Sequence, residues 1–386
     1  MAPVRISIVT ETYIPDVNGV ANSLSQLLRA LDRQRFRVQL VRTRPHAAWT
    51  SQEEEVWCRG IRLPFYPDVQ VGWPSRERIC EAWDSFTPDL VYLVTEGPLG
   101  AAALAEARQR GIPVISSFHT NFHRYSSHYG FGWVQTLMLA WLRHFHNRTA
   151  LTMVPAPDMQ TTLLADGFES VEILPHGVDC TLFDPRRRSQ SLRQQWLADQ
   201  SGPVMMYVGR LAAEKNIPLV VHSWQQLRQQ HPGLQLVLVG DGPLREQLQR
   251  EYPDIHFCGV KTGTELAQHF ASADLFVFPS MTETFGLVTL EAMASGLPIV
   301  AFDVAAAGQY VSSGCNGELA KAGDEWAFVD SVRRLLAQDL VAAGRLSRQQ
   351  AELLGWKRVA EQFEAYSRQV LVAHATKSVG QSQSMV

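Results

Sequence analysis

Short apolar runs alternate with stretches of helical spacing along this 386-residue chain, and the alternation starts afresh halfway. In the first half, residues 4–10, 37–43, 89–94, 113–117, 150–154 and 170–174 have strand length, and 19–31, 98–110, 131–148 and 157–165 have helical spacing. In the second half the apolar runs are 204–208, 234–239, 255–257, 274–279 and 298–302. Near-continuous apolar runs fit strands covered on both faces. Their alternation with helices builds parallel sheets between helical layers. The expectation is an α/β chain with two Rossmann-like, doubly wound domains facing a central cleft. In such sheets ligands bind beyond the carboxyl ends of the strands, so a motif directly after a strand is a candidate site.

The length suits two domains of about 150–200 residues each. We expect the first over 1–178, a linker over 179–200, and the second over 201–355. The linker carries Pro185, the basic run Arg186-Arg187-Arg188 and a Ser/Gln patch. A helix over 356–375 is expected to return to the first domain, followed by a Ser/Gln-rich disordered tail over 376–386. With 46% hydrophobic residues there is material for two cores, and a net charge of −3 gives no general attraction to nucleic acid. The five cysteines are widely spaced, which fits a reducing compartment better than a zinc clip or disulfide framework. A strand begins at Val4 without a charged-then-apolar leader, and no run reaches the ~18 apolar residues of a membrane span. The expected location is cytoplasmic, with peripheral membrane contact left open.

The richest strand end is Pro279-Ser-Met-Thr-Glu-Thr-Phe-Gly-Leu-Val-Thr-Leu-Glu291. A helix is expected to begin near 284–286, and its free N–H groups and partial positive charge suit a phosphate. Gly286 lets a ligand approach the backbone. Glu283 and Glu291 could each accept hydroxyl donors, one from a sugar ring and one from a ribose. Read alone, they are more simply a helix-capping acid and a buried structural carboxylate.

A second strand end is Val208-Gly-Arg-Leu-Ala-Ala-Glu-Lys215. Arg210 and Lys215 after Gly209 supply a guanidinium fork and an ammonium, which suit a diphosphate. A third, Val239-Gly-Asp-Gly-Pro243, puts Asp241 and Gly242 in a turn that could touch a nucleotide or be an ordinary turn.

In the first half Gly19 opens a helix after the first strand, but the dinucleotide pattern G-x-G-x-x-G is absent, which argues against NAD. His119 stands at a strand end. His119, His123, His128, His144 and His146 cluster in sequence, yet their spacing lacks a carboxylate partner for a metal. The 131–148 helix carries Trp133, Leu137, Met138, Trp141, Leu142 and Phe145 on one stripe. That stripe either packs on the chain's own sheet or touches lipid.

Taken together, Gly209-Arg210…Lys215-Asn216 and Glu283-x-Phe-Gly-Leu-x-x-x-Glu291-Ala resemble the GT4 family of retaining glycosyltransferases with the GT-B fold. The Gly19 loop, His119-Thr120, Leu174-Pro-His-Gly-Val-Asp179 and Gly240-Asp-Gly-Pro243 support the resemblance, which runs from Val4 to about residue 370. Within the family the wording is nearest to bacterial lipid-modifying mannosyl- and glucosyltransferases, with sulfoquinovosyltransferases nearby.

The resemblance implies a hexosyltransferase using GDP-mannose or a UDP-hexose, and a membrane lipid as acceptor. Arg210 and Lys215 would hold the donor diphosphate, with Gly19 and Gly209 beside it. Glu283 would contact the transferred sugar, Glu291 the ribose, and His119 would sit by the reacting sugar. Phe285, Gly286 and Leu287 would offer backbone amides, Asp241 and Gly242 would line the nucleotide, and Cys258 and Val260 would frame the base. Trp133 and Trp141 would mark the acceptor or membrane side. No D-x-D pattern occurs, so no essential metal or other cofactor is expected. Rival readings are a GT-B phosphorylase, a nucleotide-sugar epimerase or a non-catalytic nucleotide-sugar-binding subunit.

Overall fold

The computed structural model describes residues 2–16, 18–45, 53–63, 66–119, 132–198, 201–281, 283 and 285–383, with the side chains of 62–63, 66–69, 132–135 and 378–383 outside that description. The chain divides into two compact units, Met1–His176 with Trp356–Val386, and Gly177–Gly355.

The first unit contains β1 (Val4–Thr10), β2 (Phe36–Thr43), β3 (Glu54–Cys58), β4 (Gly60–Leu63), β5 (Tyr66–Gly72), β6 (Leu90–Leu93), β7 (Val114–Ser117), β8 (Leu151–Val154) and β9 (Val171–Ile173). Seven of these form one sheet in the order β3-β2-β1-β6-β7-β8-β9, and β4–β5 is a separate hairpin. Every pairing in the larger sheet is parallel. The central strands are buried on both faces, which is why they read as unbroken apolar runs. The strand order reverses direction between β1 and β6, where such a sheet opens a crevice.

The second unit contains β10 (Val204–Val208), β11 (Gln235–Val239), β12 (His256–Gly259), β13 (Leu275–Phe278), β14 (Ile299–Phe302) and β15 (Gly317–Ala320). Their order is β12-β11-β10-β13-β14-β15, again all parallel. The switch point here lies between β10 and β13.

Residues 179–198, expected as linker, belong to the body of the second unit. Phe183 and Trp196 are buried in its core. Asp184 caps the short 3-10 helix Pro185–Arg187. Arg188 and Arg193 both hold the Asp274 carboxylate, at 2.6 and 2.9 Å. Two aromatic anchors thus bury the segment, and Arg188 of the basic run, with Arg193, fastens it to the start of β13, while Arg186 stays exposed beside Asp184.

The helix Trp356–Gln383 packs against the first unit's sheet through Val359, Ala360, Phe363 and Val370. Phe363 meets Tyr92 with ring centroids 5.1 Å apart. Glu364 accepts from the Asp32 amide at 3.2 Å, and Gln362 and Tyr366 both donate to the Ile173 carbonyl. The expected tail from 376 instead continues this helix to Gln383, with Thr376 Oγ1 bonded to the Val372 carbonyl at 3.0 Å. Helix-forming Ala373 and Ala375, with no proline after them, allow the extension.

Candidate functional site

At the carboxyl ends of β10, β11 and β12 three glycine turns are knit side by side. The Gly209 amide donates to the Val239 carbonyl at 3.0 Å, and the Gly240 amide to the Gly259 carbonyl at 2.8 Å. Gly240 has φ 134°, and a Cβ there would lie 2.0 Å from the Gly209 carbonyl oxygen. Only glycine allows this approach.

After Gly209 the chain passes Arg210 and turns through the 3-10 helix Ala213–Lys215. The Lys215 ammonium donates to the Glu283 carboxylate, and both side chains are about four-fifths buried. Ser280 Oγ donates to the same carboxylate at 2.8 Å. Glu283 follows β13, so this pair spans the switch point of the second sheet. Arg210 stands apart, with its exposed guanidinium 3.4 Å from Glu214.

The helix after β13 is Leu287–Ala294, slightly later than the sequence suggests, because Gly286 adopts φ 85° and caps it without a side-chain bond. The Thr289 amide bonds the Gly286 carbonyl at 3.0 Å, and no side chain caps the amides before it. A Cβ on Gly286 would lie 3.6 Å from Glu283 Cγ, which places the cap beside the ion pair. Thr284 lies outside the described residues. Phe285 is buried against Tyr310, and its carbonyl accepts from the Ala306 amide at 2.8 Å. Leu287 is half-buried behind it. Glu291 is half-buried one turn deeper, and burial pushes its carboxyl up to about 8.

Asp241 turns its carboxylate onto its own loop, bonding the Gly242 amide at 2.7 Å and Arg245 at 3.0 Å. These contacts hold it below the usual carboxylate range. At the end of β12, burial raises the Cys258 thiol, while Val260 is 65% exposed.

In the first unit Gly19 begins the helix Gly19–Ala30, whose start is capped by Asn18 accepting from Ala21 at 2.9 Å. A Cβ on Gly19 would meet nothing within 4 Å, so the space beside it is open. His119 follows β7 and is half-buried, its ring centroid 6.0 Å from that of His176. His123 and His128 lie outside the described residues. His144 is exposed and bonded to Arg148, whereas His146 is wholly buried against Ser116 at 2.9 Å. Among the described residues no three His, Cys, Asp or Glu gather in metal-binding geometry.

Two carboxylates at strand ends escaped sequence reasoning. Glu11, after β1, accepts from the Leu99 amide at 2.9 Å, and burial pushes it to about 7. Glu96, after β6, lies 3.6 Å from His146 Nε2. The strand-end rule was the available signal for both, and Glu96 even stands next to Gly97, which opens the helix Pro98–Gln109.

The helix Gly132–His146 divides its apolar stripe. Leu142 and Phe145 are buried, while Leu137, Met138 and Trp141 are 62%, 42% and 47% exposed. The Trp133 side chain lies outside the described residues. Met138, Trp141, Ala101, Pro74 and Pro98 line a groove of about 630 Å³ that also touches Glu96.

Residues 17–182 match the family described as Glycosyltransferase Family 4, and residues 202–338 match Glycosyl transferases group 1. The chain is 32% identical over 345 residues to a GDP-mannose-dependent alpha-mannosyltransferase of Mycobacterium tuberculosis, covering 87% of this chain and 89% of that protein. It is 29% identical to an alpha-monoglucosyldiacylglycerol synthase of Streptococcus pneumoniae, covering 77% of this chain and 70% of that protein. Its fold resembles that of sucrose-phosphate synthase from Thermosynechococcus elongatus, with a TM-score of 0.75 at 21% identity, over 96% of this chain and 100% of that one. No described helix is long and apolar enough to cross a membrane.

Proposed function

The chain belongs to glycosyltransferase family 4, and from that membership we propose that it moves a hexose from a nucleotide-sugar donor to a hydroxyl on a membrane lipid, with retention of anomeric configuration. The similar mannosyltransferase makes GDP-mannose the first donor to test, with UDP-glucose second. The similar diacylglycerol glucosyltransferase supports a lipid acceptor. Leu137, Met138 and Trp141, exposed on one helix, would rest against the bilayer that carries it.

The observation that carries this reading is the Lys215–Glu283 pair beside the Gly286 cap. Transfer breaks the bond between the sugar's C1 and the phosphate oxygen, and negative charge develops on the leaving diphosphate. Lys215, Arg210 and the first amides of Leu287–Ala294 would stabilise that charge as it forms. Glu283 would accept a sugar hydroxyl and Glu291 would meet the ribose. In a front-face path, the acceptor oxygen bonds C1 on the face that the diphosphate leaves, and its proton passes to a phosphate oxygen. His119 would stand beside the sugar.

A thermal-shift screen of GDP, UDP, ADP and their hexose conjugates tests the donor assignment, since a ligand that binds only the native state raises the midpoint. A rise with GDP and GDP-mannose is expected. No rise with any of the set would overturn the reading.

A further inference from the structure

The segment Leu174-Pro-His-Gly-Val-Asp179 supports the resemblance, but the sequence assigns its histidine no role. His176 closes the segment Leu174-Pro-His, and the chain enters the second unit directly after it. Its Nδ1 lies 2.8 Å from Ser23 Oγ, on the helix Gly19–Ala30 whose first residue is Gly19. Its ring faces that of His119 with an interplanar angle of 33°. A small cavity of about 30 Å³ separates the elements here, lined by Ser23, Tyr92, Ser117, His119, His176 and Trp356, among others. Tyr92 Oη and Ser117 Oγ bond each other at 2.7 Å across it.

Two imidazoles packed this way cannot both carry charge. Burial lowers His176 to about 3, with His119 adding to the effect. Burial also lowers His119, against the pull of Glu96 and with the help of His146. Tyr92, the other titratable group at the cavity, is pushed up to about 12 by burial and stays neutral. His119 is therefore a neutral ring with a defined neighbour on one face.

We propose that His176 is a positioning residue for His119: held by Ser23, its ring packs beside that of His119 and fixes its orientation at the glycosyl centre. This rests on the reading of His119 as a residue beside the reacting sugar. His176 itself touches no substrate in this account. It transmits the position of the Gly19–Ala30 helix to His119, so that two elements of the first unit keep one geometry.

Steady-state transfer with His176→Ala, His176→Gln, Ser23→Ala and His119→Ala tests the proposal, with circular dichroism to confirm folding. His176→Ala should lower kcat at least tenfold with donor KM within twofold. Water entering the vacated space should raise the pKa of His119 toward that of free imidazole, so the acid limb of kcat/KM should move to higher pH. His176→Gln, which can still bond Ser23, should recover most of kcat. Ser23→Ala, which releases the His176 ring and lets water in beside it, should lower kcat about threefold with the limb moving the same way. If His119→Ala is inactive but Ser23→Ala and a folded His176 variant keep normal kcat and an unmoved limb, the proposal is overturned while the transferase reading stands. If His119→Ala itself is fully active, the assignment of His119 is overturned, and this proposal with it.

Discussion

Lys215 and Glu283, 68 positions apart, meet as an ion pair across the switch point between β10 and β13. Each is largely buried, and Ser280 also donates to the Glu283 carboxylate. A diphosphate would offer the ammonium a second anion, and a sugar hydroxyl would offer the carboxylate a donor. In the proposed reaction the pair would stand on the two sides of the bond to be broken.

Lys215→Ala should lower kcat at least a hundredfold, which corresponds to about 2.7 kcal/mol of transition-state stabilisation. Arg210→Ala should cost tenfold or more, since a weak surface pair with Glu214 leaves its exposed guanidinium able to turn toward the diphosphate. Steady-state assays on both variants check this. Near-normal turnover in both would remove the charge argument.

Glu291 should make stability depend on pH. The folded state keeps its proton up to about pH 8, whereas an unfolded glutamate releases it near pH ~4.3. Between these values the folded state binds more protons, so this contribution to stability falls as pH rises. Urea unfolding at pH 5 and pH 8 should show a smaller difference for Glu291→Gln than for the native chain. Equal differences would contradict the assignment.

Gly240→Ala should both destabilise the fold and weaken donor binding. The added Cβ meets the Gly209 carbonyl at 2.0 Å, and the backbone must yield on both glycine turns at once. A strained position of this kind costs on the order of 1–3 kcal/mol before the clash is counted. Melting curves and nucleotide titrations read the two effects separately. A normal midpoint with normal nucleotide affinity would show that the turns are less tightly coupled than described.

Phe363→Ala should destabilise the first unit by about 3–5 kcal/mol. The ring is fully buried against Tyr92, so its loss leaves a cavity under the central sheet. Chemical denaturation monitors this. A change under about 1 kcal/mol would mean that the helix Trp356–Gln383 contributes little packing.

The sheets were legible because their central strands are buried on both faces and read as apolar runs. Of the edge strands, β9 and β12 were read as well, near 170–174 and 255–257, but β3 and β15 were not. β3 begins Glu54-Glu55 and pairs on one side only, with Arg37 holding Glu54 at 3.1 Å, so its composition is that of a surface. β15 is Gly-Glu-Leu-Ala, and its buried Glu318 pairs with Arg334 and accepts a hydrogen bond from Gln338, partners that no local pattern reveals. At the site, the glycine turns marked Arg210, Lys215 and Glu283, but sequence could not show that Lys215 would meet Glu283 while Arg210 would not. The 179–198 segment was misread because Arg186-Arg187-Arg188 looked solvated, while Phe183 and Trp196 on either side carried the fold. The amphipathic stripe of Gly132–His146 was correct as a period but not as a single face, since Leu142 and Phe145 turn inward and Leu137, Met138 and Trp141 outward.

The most direct test of the central claim is transfer of radiolabelled mannose from GDP-mannose, or glucose from UDP-glucose, into lipid extracted by organic solvent. The protein is incubated with phospholipid and diacylglycerol vesicles, with Lys215→Ala alongside. The account predicts label in the lipid fraction with one of the two donors, and at least a hundredfold less with the variant. Absence of label from both donors in the wild-type reaction, or equal label with Lys215→Ala, would contradict it.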